Sequence, residues 1–536
     1  MALEFFLAKN SSQSAKANGA LVHSAYNPEI EAERFVQALD APFIASFVIV
    51  LEGGLGYCAP LLRKRFPGAK IGVLRFCGEF PQSELWDFSI PLGECFSQDQ
   101  KAAAQTSFQD QKAAASAAPL SERLFWELGE EGLFSALFYE WPASARIWPK
   151  ETKFAWEQIK AATEKAKAVL ATREHFGKRW LKNKIRFFER LEKACVLEKI
   201  KKPVAICASG PSLEAAFPLI KKNRERLFVC ALSSAIASLA RFGVEPDLCL
   251  SSDGGWWAKK HLDILRLSFL NAPLALPTEA ALPASLFKSK TILPLCYDDD
   301  ELSKKLFEAL EIPFASAKRN GTVSGSALEF FLQAAEGPVF FAGLDLQSGK
   351  RLCHARPNAL EILEERKDFR LRPKSTRAAR ATLSNPSLKL YADWFAAYSP
   401  GEKKVFRIRG SEPFKRSLGQ IKDIGANEFE SALIAETACK AKTRDDTGTA
   451  SKTKTDGGQN FFTTENLSAP KSGRKETIRR VFEQWAQSGA LASEMFPADS
   501  LLARREKDAD KKKERILAIE EKSSRLVQEI FKEGRP

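Results

Sequence analysis

Four stretches of the sequence place hydroxyl, carboxylate, imidazole and glycine at the ends of apolar runs, which is where an α/β protein does its chemistry. The first is Val204-Ala205-Ile206-Cys207-Ala208-Ser209-Gly210-Pro211-Ser212-Leu213-Glu214. An apolar strand ends in small residues, and Pro211 suits the first turn of a helix with Ser209 or Gly210 near its cap. The amides that open a helix lack internal partners, and the helix dipole adds partial positive charge. The turn Gly210-Pro211-Ser212-Leu213 therefore reads as a phosphate loop. An ordinary strand–helix turn capped by Ser209 fits the same residues.

The second stretch, Glu245-Pro246-Asp247-Leu248-Cys249-Leu250-Ser251-Ser252-Asp253-Gly254-Gly255, is a strand running into an acidic, glycine-rich turn. Asp253 would sit at the rim beside the first loop, holding a metal, a ribose hydroxyl or an acceptor hydroxyl, or else simply forming an Asp-Gly turn. The third, Asn320-Gly321-Thr322-Val323-Ser324-Gly325-Ser326, precedes a helical run. Gly321, Thr322 and Ser324 make a second anion-ready helix start, or a Ser/Thr cap. The fourth, Phe340-Phe341-Ala342-Gly343-Leu344-Asp345-Leu346, brings Asp345 to the same rim, with His354 nine residues on. His354 lies in a polar loop after a core strand, and imidazole is a natural general base near neutral pH. A surface histidine in a basic loop is the plainer alternative.

Stepping outward along the chain, these residues need a sheet to hold them. Short apolar runs at 204–208, 227–231, 248–251, 291–295 and 339–342 alternate with helical patterns, as in a parallel sheet covered on both faces. The fold class is α/β: two Rossmann-like domains joined by a helical connector, then a disordered linker and C-terminal helices. The N-terminal α/β domain spans 20–150, with a strand–glycine-turn–helix unit at 47–57 and a second strand at 70–74. The connector spans 151–202 and the core domain 203–432. Residues 436–475 are polar and nearly free of aliphatic side chains, which predicts a disordered linker. Residues 476–536 return to a helical pattern. An insert at 98–115 repeats QDQKAAA; two copies are too few for a solenoid and read as a surface loop or short helix.

Bulk properties narrow the class. The chain has 536 residues, 44% hydrophobic and 28% charged, within the range of globular proteins. Ten scattered cysteines without a CxxC pair, and four histidines, argue against a zinc cluster, and no metal site is expected. Several cysteines lie in apolar runs, which suits a reducing compartment. No secretory signal and no membrane-length apolar run is seen, so a cytoplasmic location is expected. The net charge of +14 leaves room for nucleic acid, an anionic membrane or a phosphorylated substrate. The basic stretch 350–380 lacks the basic-aromatic interleaving of a single-strand binder, so nucleic acid is not the expected partner.

Taken in order, the four stretches resemble the motility-associated factor (Maf) flagellin glycosyltransferases and the domain they share with MptE-like 6-hydroxymethylpterin diphosphokinases. Further matches are His23-Ser24-Ala25-Tyr26-Asn27-Pro28, the Gly54-Leu55-Gly56-Tyr57 turn and Phe176-Gly177-Lys178-Arg179-Trp180, so the likeness covers roughly residues 20–430. The resemblance implies a nucleotide-sugar core similar to bacterial sialyltransferases. It implies a CMP-activated nonulosonic acid as donor, a flagellin Ser or Thr as acceptor, and no required cofactor. On that mapping Ser209, Gly210, Pro211, Ser212 and Leu213 hold the CMP phosphate. Ser233, Ser234 and Asp253 frame nucleotide or sugar, and Gly321, Thr322, Ser324 and Asp345 complete the donor site. His354 deprotonates the acceptor or stabilises the leaving phosphate. Those sialyltransferases usually carry Asn where this chain has Ser209, and the sequence from Lys350 onward is more basic.

Two alternatives stay open. An ATP-dependent pyrophosphokinase wants paired carboxylates for Mg2+, where Ser251-Ser252-Asp253-Gly254 offers one. A non-catalytic flagellar assembly or binding protein would use the linker and terminal helices.

Overall fold

The computed structural model describes residues 3–80, 84–92, 119–267, 271–347, 353–376, 386–410, 413–434, 461–467 and 471–532. The chain divides into two units, residues 1–178 with 484–536 and residues 179–483. The QDQKAAA insert lies outside the described residues.

The first unit opens with an antiparallel sheet of β1 (Leu3–Leu7), β2 (Gln13–Ala17) and β3 (Ala20–Leu21). Helix α1 (Pro28–Ala38) starts where the sequence marks it: Asn27 Oδ1 accepts from the amides of Glu29 (3.1 Å) and Ile30 (3.0 Å), and Pro28 supplies a preset φ. Then come β4 (Phe47–Leu51), α2 (Cys58–Arg65), β5 (Lys70–Arg75), β6 (Phe88–Pro91), α3 (Leu120–Phe134), β7 (Ala136–Glu140) and α4 (Pro142–Ile147). The strands form a parallel sheet in the order β6-β5-β4-β7. The glycine turn after β4 is closed from within. Buried Glu52 accepts from Arg75 Nη1 (2.9 Å) and from the amides of Phe76 and Cys77, and a Cβ on Gly54 (φ +53°) would stand 2.3 Å from His23 Nε2.

The long helix α5 (Pro149–Arg190) ends before residue 202, the limit expected for the helical stretch. Lys193–Leu197 is a strand, β8, hydrogen-bonded into the main sheet.

The second unit continues with β9 (Val204–Cys207), α6 (Ser212–Lys222), β10 (Phe228–Leu232), α7 (Ile236–Phe242), β11 (Leu248–Leu250), α8 (Trp256–Leu262), β12 (Leu274–Pro277), α9 (Leu286–Ser289), β13 (Ile292–Tyr297), α10 (Glu301–Ala309), β14 (Ala315–Ala317), α11 (Val323–Ala334), β15 (Val339–Ala342), α12 (Ala359–Glu365), α13 (Pro386–Ala397), β16 (Val405–Ile408), β17 (Lys422–Ile424) and β18 (Phe462–Asn466). The sheet order is β17-β16-β15-β9-β10-β11-β12-β13-β8-β18, with β14 also on β13. All neighbours run parallel except β18, which is antiparallel to β8. The expected linker 436–475 therefore contains a strand: Phe462 pairs with Leu197, and Phe461 packs edge-on against buried Phe228 at 5.1 Å. Residues 436–460 and 468–470 of that linker lie outside the described residues.

Strands β9, β10 and β15 are buried along their whole length, as near-continuous apolar runs should be in a doubly covered parallel sheet. Each large apolar side chain so buried contributes about 1.5–3 kcal/mol. Chain order runs β9 to β13 in one direction, and then β15, β16 and β17 build on the other side of β9. The direction reverses between β15 and β9. Open α/β sheets bind ligands in the crevice beyond the strand ends at such a switch point.

The chain closes with α14 (Lys471–Gln487), α15 (Ala490–Met495), α16 (Pro497–Arg505) and α17 (Ala509–Lys532). From Gln484 onward these helices belong to the first unit rather than forming a segment of their own. Leu491, Met495, Leu501, Ile519, Leu526 and Ile530 are buried, and Arg505 lies 3.7 Å over the Phe43 ring. No helix among the described residues is long and apolar enough to cross a membrane.

Candidate functional site

The parallel sheet brings the ends of β15, β9, β10, β11 and β14 to one edge of the second unit, so all four sequence stretches open on the same side. At the switch point the loops after β9 and β15 interlock. The Gly210 amide donates to Gly343 O (2.8 Å), and Gly343 adopts φ +80°, where a Cβ would stand 2.2 Å from Ala208 O. A Cβ on Gly210 would stand 2.1 Å from Asp345 Oδ2, so glycine is required there by close approach.

Asp345 occupies the mouth of the Gly-Pro-Ser-Leu turn. Ser212 donates to Asp345 Oδ2 through its amide (3.1 Å) and its Oγ (2.7 Å). Helix α6 starts at Ser212 with Pro211 as its cap residue, one residue later than expected, and no capping side chain comes from the loop itself. The capping carboxylate arrives from the β15 loop instead. Burial pushes the Asp345 carboxyl up from its ordinary range, against the opposing pull of the Ser212 bonds and of Arg407. Arg407 is itself buried and paired with Asp423 through Nε (2.6 Å) and Nη2 (2.9 Å).

This arrangement changes the reading of the phosphate loop. The Gly210 amide is taken by Gly343 O, Ser212 by Asp345, Leu213 by Gly210 O and Glu214 by Pro211 O. Pro211 has no amide hydrogen. The loop amides are satisfied inside the protein, so in this conformation they are not the cradle that the sequence suggested. Leu213 is fully buried and packs behind the loop, where it cannot touch a ligand.

Groups that face the crevice come from the neighbouring turns. Ser234 Oγ donates to Ser209 Oγ (2.9 Å), joining the β9 and β10 ends. Ser233 is buried at the start of the short 3-10 turn Ser233–Ala235. The chain after β15 crosses over this pair: the Ala355 amide donates to Ser209 O (2.8 Å), the Arg356 amide to Glu214 Oε1 (3.1 Å), and Asn358 Nδ2 to Ser234 O (3.1 Å). His354 is thus fixed one residue from the Ser209 contact. Its Nδ1 faces Glu361 Oε1 at 3.4 Å and its side chain is 31% exposed.

Sequence reasoning missed two members of this group. Asn358 caps α12 by accepting from the Leu360 amide (3.0 Å) while its amide nitrogen reaches Ser234. Asn358-Ala359-Leu360-Glu361 is a legible capping-box pattern. His261, on α8, is the second. Its pKa is pushed down to about 4, first by burial and then by His354, which places two imidazoles near each other. The signal available was its position one helix after the Asp253 turn.

The remaining expected residues lie farther along the same edge. Asp253 is exposed and its Oδ1 accepts from the Gly255 amide (2.7 Å), forming the Asp-Gly turn. Gly254 is clamped there: Asn183 Nδ2 reaches Gly254 O (3.2 Å) and Glu279 O (2.8 Å), and a Cβ would meet the Trp180 ring at 2.7 Å. Thr322 caps α11, its Oγ1 accepting from the Gly325 amide (2.8 Å), and Asn320 Oδ1 accepts from the Thr322 amide (3.0 Å). Ser324 is half-buried in the first turn, and Gly321 is exposed with open space at its Cβ position. Arg319 lies between these parts, 4.5 Å over the Tyr297 ring and bound to Glu279 and to Asp299 (3.0 Å). No hydrogen bond among the described residues links Asp253 or Thr322 to the Ser209–Asp345 group. No group of three or more His, Cys, Asp or Glu among the described residues is disposed to hold a metal ion.

Residues 154–351 match the 6-hydroxymethylpterin diphosphokinase MptE-like family, a span that includes Ser209 to Asp345 and both ends of the switch point. A Treponema pallidum (strain Nichols) protein, described as uncharacterized, is 32% identical over 312 residues, covering 57% of this chain and 67% of that protein. A solved structure, that of a MAf glycosyltransferase from Magnetospirillum magneticum AMB-1, superposes with a TM-score of 0.49 at 12% identity, covering 98% of this chain and 91% of that one. The chain carries a 6-hydroxymethylpterin diphosphokinase MptE-like domain over residues 154–351.

Proposed function

We propose that the protein is a glycosyltransferase that moves a nonulosonic, sialic-acid-like sugar from a CMP-activated donor to a Ser or Thr hydroxyl of flagellin, in the cytoplasm. The observation that carries this reading is the convergence of Ser209, Ser234 and the His354 segment over the switch point between β15 and β9. Hydroxyls at that place suit the phosphate of a nucleotide sugar, because the loop amides are already engaged. Ser234 Oγ gives its one proton to Ser209 Oγ, so the Ser209 hydroxyl is the one that donates to the donor phosphate, and Ser234 orients it.

In the transfer, the acceptor oxygen forms a bond to the anomeric carbon as the bond from that carbon to the phosphate oxygen breaks, and CMP departs with the electron pair. The acceptor proton goes to His354 Nε2. Glu361, facing Nδ1, holds the ring in the tautomer that leaves Nε2 as the acceptor. His261, kept neutral by its surroundings, adds no competing positive charge beside the base. No metal enters this route.

The test is the mass of flagellin from cells with and without the protein. Loss of one or more sugar masses in its absence supports the reading; an unchanged mass in a cell that otherwise glycosylates flagellin contradicts it.

A second reading, an ATP-dependent pyrophosphokinase, is favoured by the description of the matched family. It needs carboxylates free to hold Mg2+ against a triphosphate. The rim offers Asp298, Asp299 and Asp300. Asp300 is buried against Lys184 (2.8 Å) and caps α10, Asp299 is bound to Arg319, and Asp298 accepts from Ser316 (2.5 Å). Binding Mg2+ there would first have to break these bonds, so the transferase is the better supported of the two.

A further inference from the structure

Trp256 and Trp257 begin α8 with 54% and 43% of their surfaces exposed, their rings 4.6 Å apart and edge-on at 73°. Leaving two adjacent tryptophans in water forgoes a large burial gain, and paired exposed aromatics at a cleft mark a contact surface. Their position says for what. Residues four apart share a helix face, so Trp257 stands one turn before His261, the imidazole that senses His354. Helix α8 also packs against the Ser233–Ala235 turn and against α12. Trp257 therefore borders the crevice, close to the proposed base.

The surroundings are cationic. Lys260 Nζ lies 5.1 Å over the Trp256 ring. Lys259 lies beside Arg186 and Arg190, which share the helical stripe of Asn183, the residue that reaches the turn before α8. Among the described residues none of Lys259, Arg186 and Arg190 has a carboxylate partner, while Lys260 and Arg266 are balanced by Asp263. An aromatic face flanked by unbalanced cations suits a sugar ring that carries a carboxylate.

We propose that Trp257, backed by Trp256, is the platform on which the acidic sugar of the nucleotide donor stacks. The proposal rests on the transferase reading and adds the residue that recognises the sugar rather than the nucleotide. The experiment is calorimetric titration of the full chain with CMP and with CMP-N-acetylneuraminic acid, for the wild type, Trp257→Ala and Trp257→Phe. The wild type should bind the sugar nucleotide about three- to tenfold more tightly than CMP. Trp257→Ala should erase that difference and leave CMP affinity within about twofold, while Trp257→Phe should keep most of it. A difference that survives intact in Trp257→Ala, or a wild type with equal affinity for the two ligands, overturns the platform and leaves the transferase reading standing. A wild type that binds neither ligand overturns both.

Discussion

Ser212 gives both its amide and its hydroxyl to the carboxylate of Asp345, 133 residues away in sequence. A helix start that reads as an anion site thus has an anion built in, carried by the strand on the far side of the switch point. The bond joins the segments that follow β9 and β15, the two strands between which the sheet order reverses. Asp345→Ala leaves the opening amide of α6 without its cap and should cost about 1–3 kcal/mol in urea unfolding. Asp345→Asn keeps an acceptor and should cost less.

The same carboxyl makes a pH-dependent prediction. Its folded pKa is raised, so its stabilising contribution is full below the ordinary aspartate range and is lost as pH rises through the raised value. The gap in stability between Asp345→Asn and the wild type should therefore shift in favour of the variant from pH 4 to pH 8. A gap that is constant with pH would mean that burial does not act on Asp345 in this way.

His261 has the opposite sign. Its pKa is lowered from 6.5 to about 4, so the contribution of the neutral ring is present above 6.5 and is lost as pH falls toward 4. Replacing it by Gln should flatten the fall in unfolding free energy over that interval. An unchanged slope would place the charge-free requirement elsewhere.

Two glycines separate close packing from mere punctuation. Gly210→Ala forces a Cβ against Asp345 and Gly343 O and should destabilise by about 1–3 kcal/mol. Gly321→Ala meets open space at a backbone that any residue adopts, and its melting temperature should stay within error of the wild type.

Much of the fold was legible because buried parallel strands announce themselves. The runs that became β4, β5, β9, β10, β11, β13 and β15 are apolar and bounded by glycine or helical pattern. β12 escaped notice because Leu274-Ala275-Leu276-Pro277 ends in proline, which argues against a central strand, and β18 because its partner is 265 residues earlier and its own composition, Phe-Thr-Thr-Glu-Asn, is polar. The site was half legible. Local chemistry marked Ser209, Gly210, Asp345 and His354, and parallel topology brings them together. The engagement of Ser212 with Asp345 was not legible, because which anion fills a helix start depends on tertiary packing. Asp253 and Thr322 show the reverse: their local turn and cap bonds were readable, and those are the bonds they make.

The hydroxyl pair should separate binding from folding. Ser209→Ala should weaken CMP binding by about three- to tenfold with little change in melting temperature, since it removes a hydrogen bond to the phosphate, and Ser234→Ala, which removes only the donor to Ser209 Oγ, should weaken it less. Thr322→Ala should instead lower stability by about 1 kcal/mol through loss of the α11 cap. His354→Ala should keep CMP affinity and lose transfer by about 10²-fold or more; full transfer activity in that variant would remove His354 from the mechanism.

The most direct measurement is the melting temperature of the full chain with CMP and, separately, with ATP and Mg2+. CMP should raise it, the rise should shrink in Ser209→Ala, and ATP with Mg2+ should leave it unchanged. A rise with ATP and Mg2+ and none with CMP would contradict the transferase and favour the pyrophosphokinase.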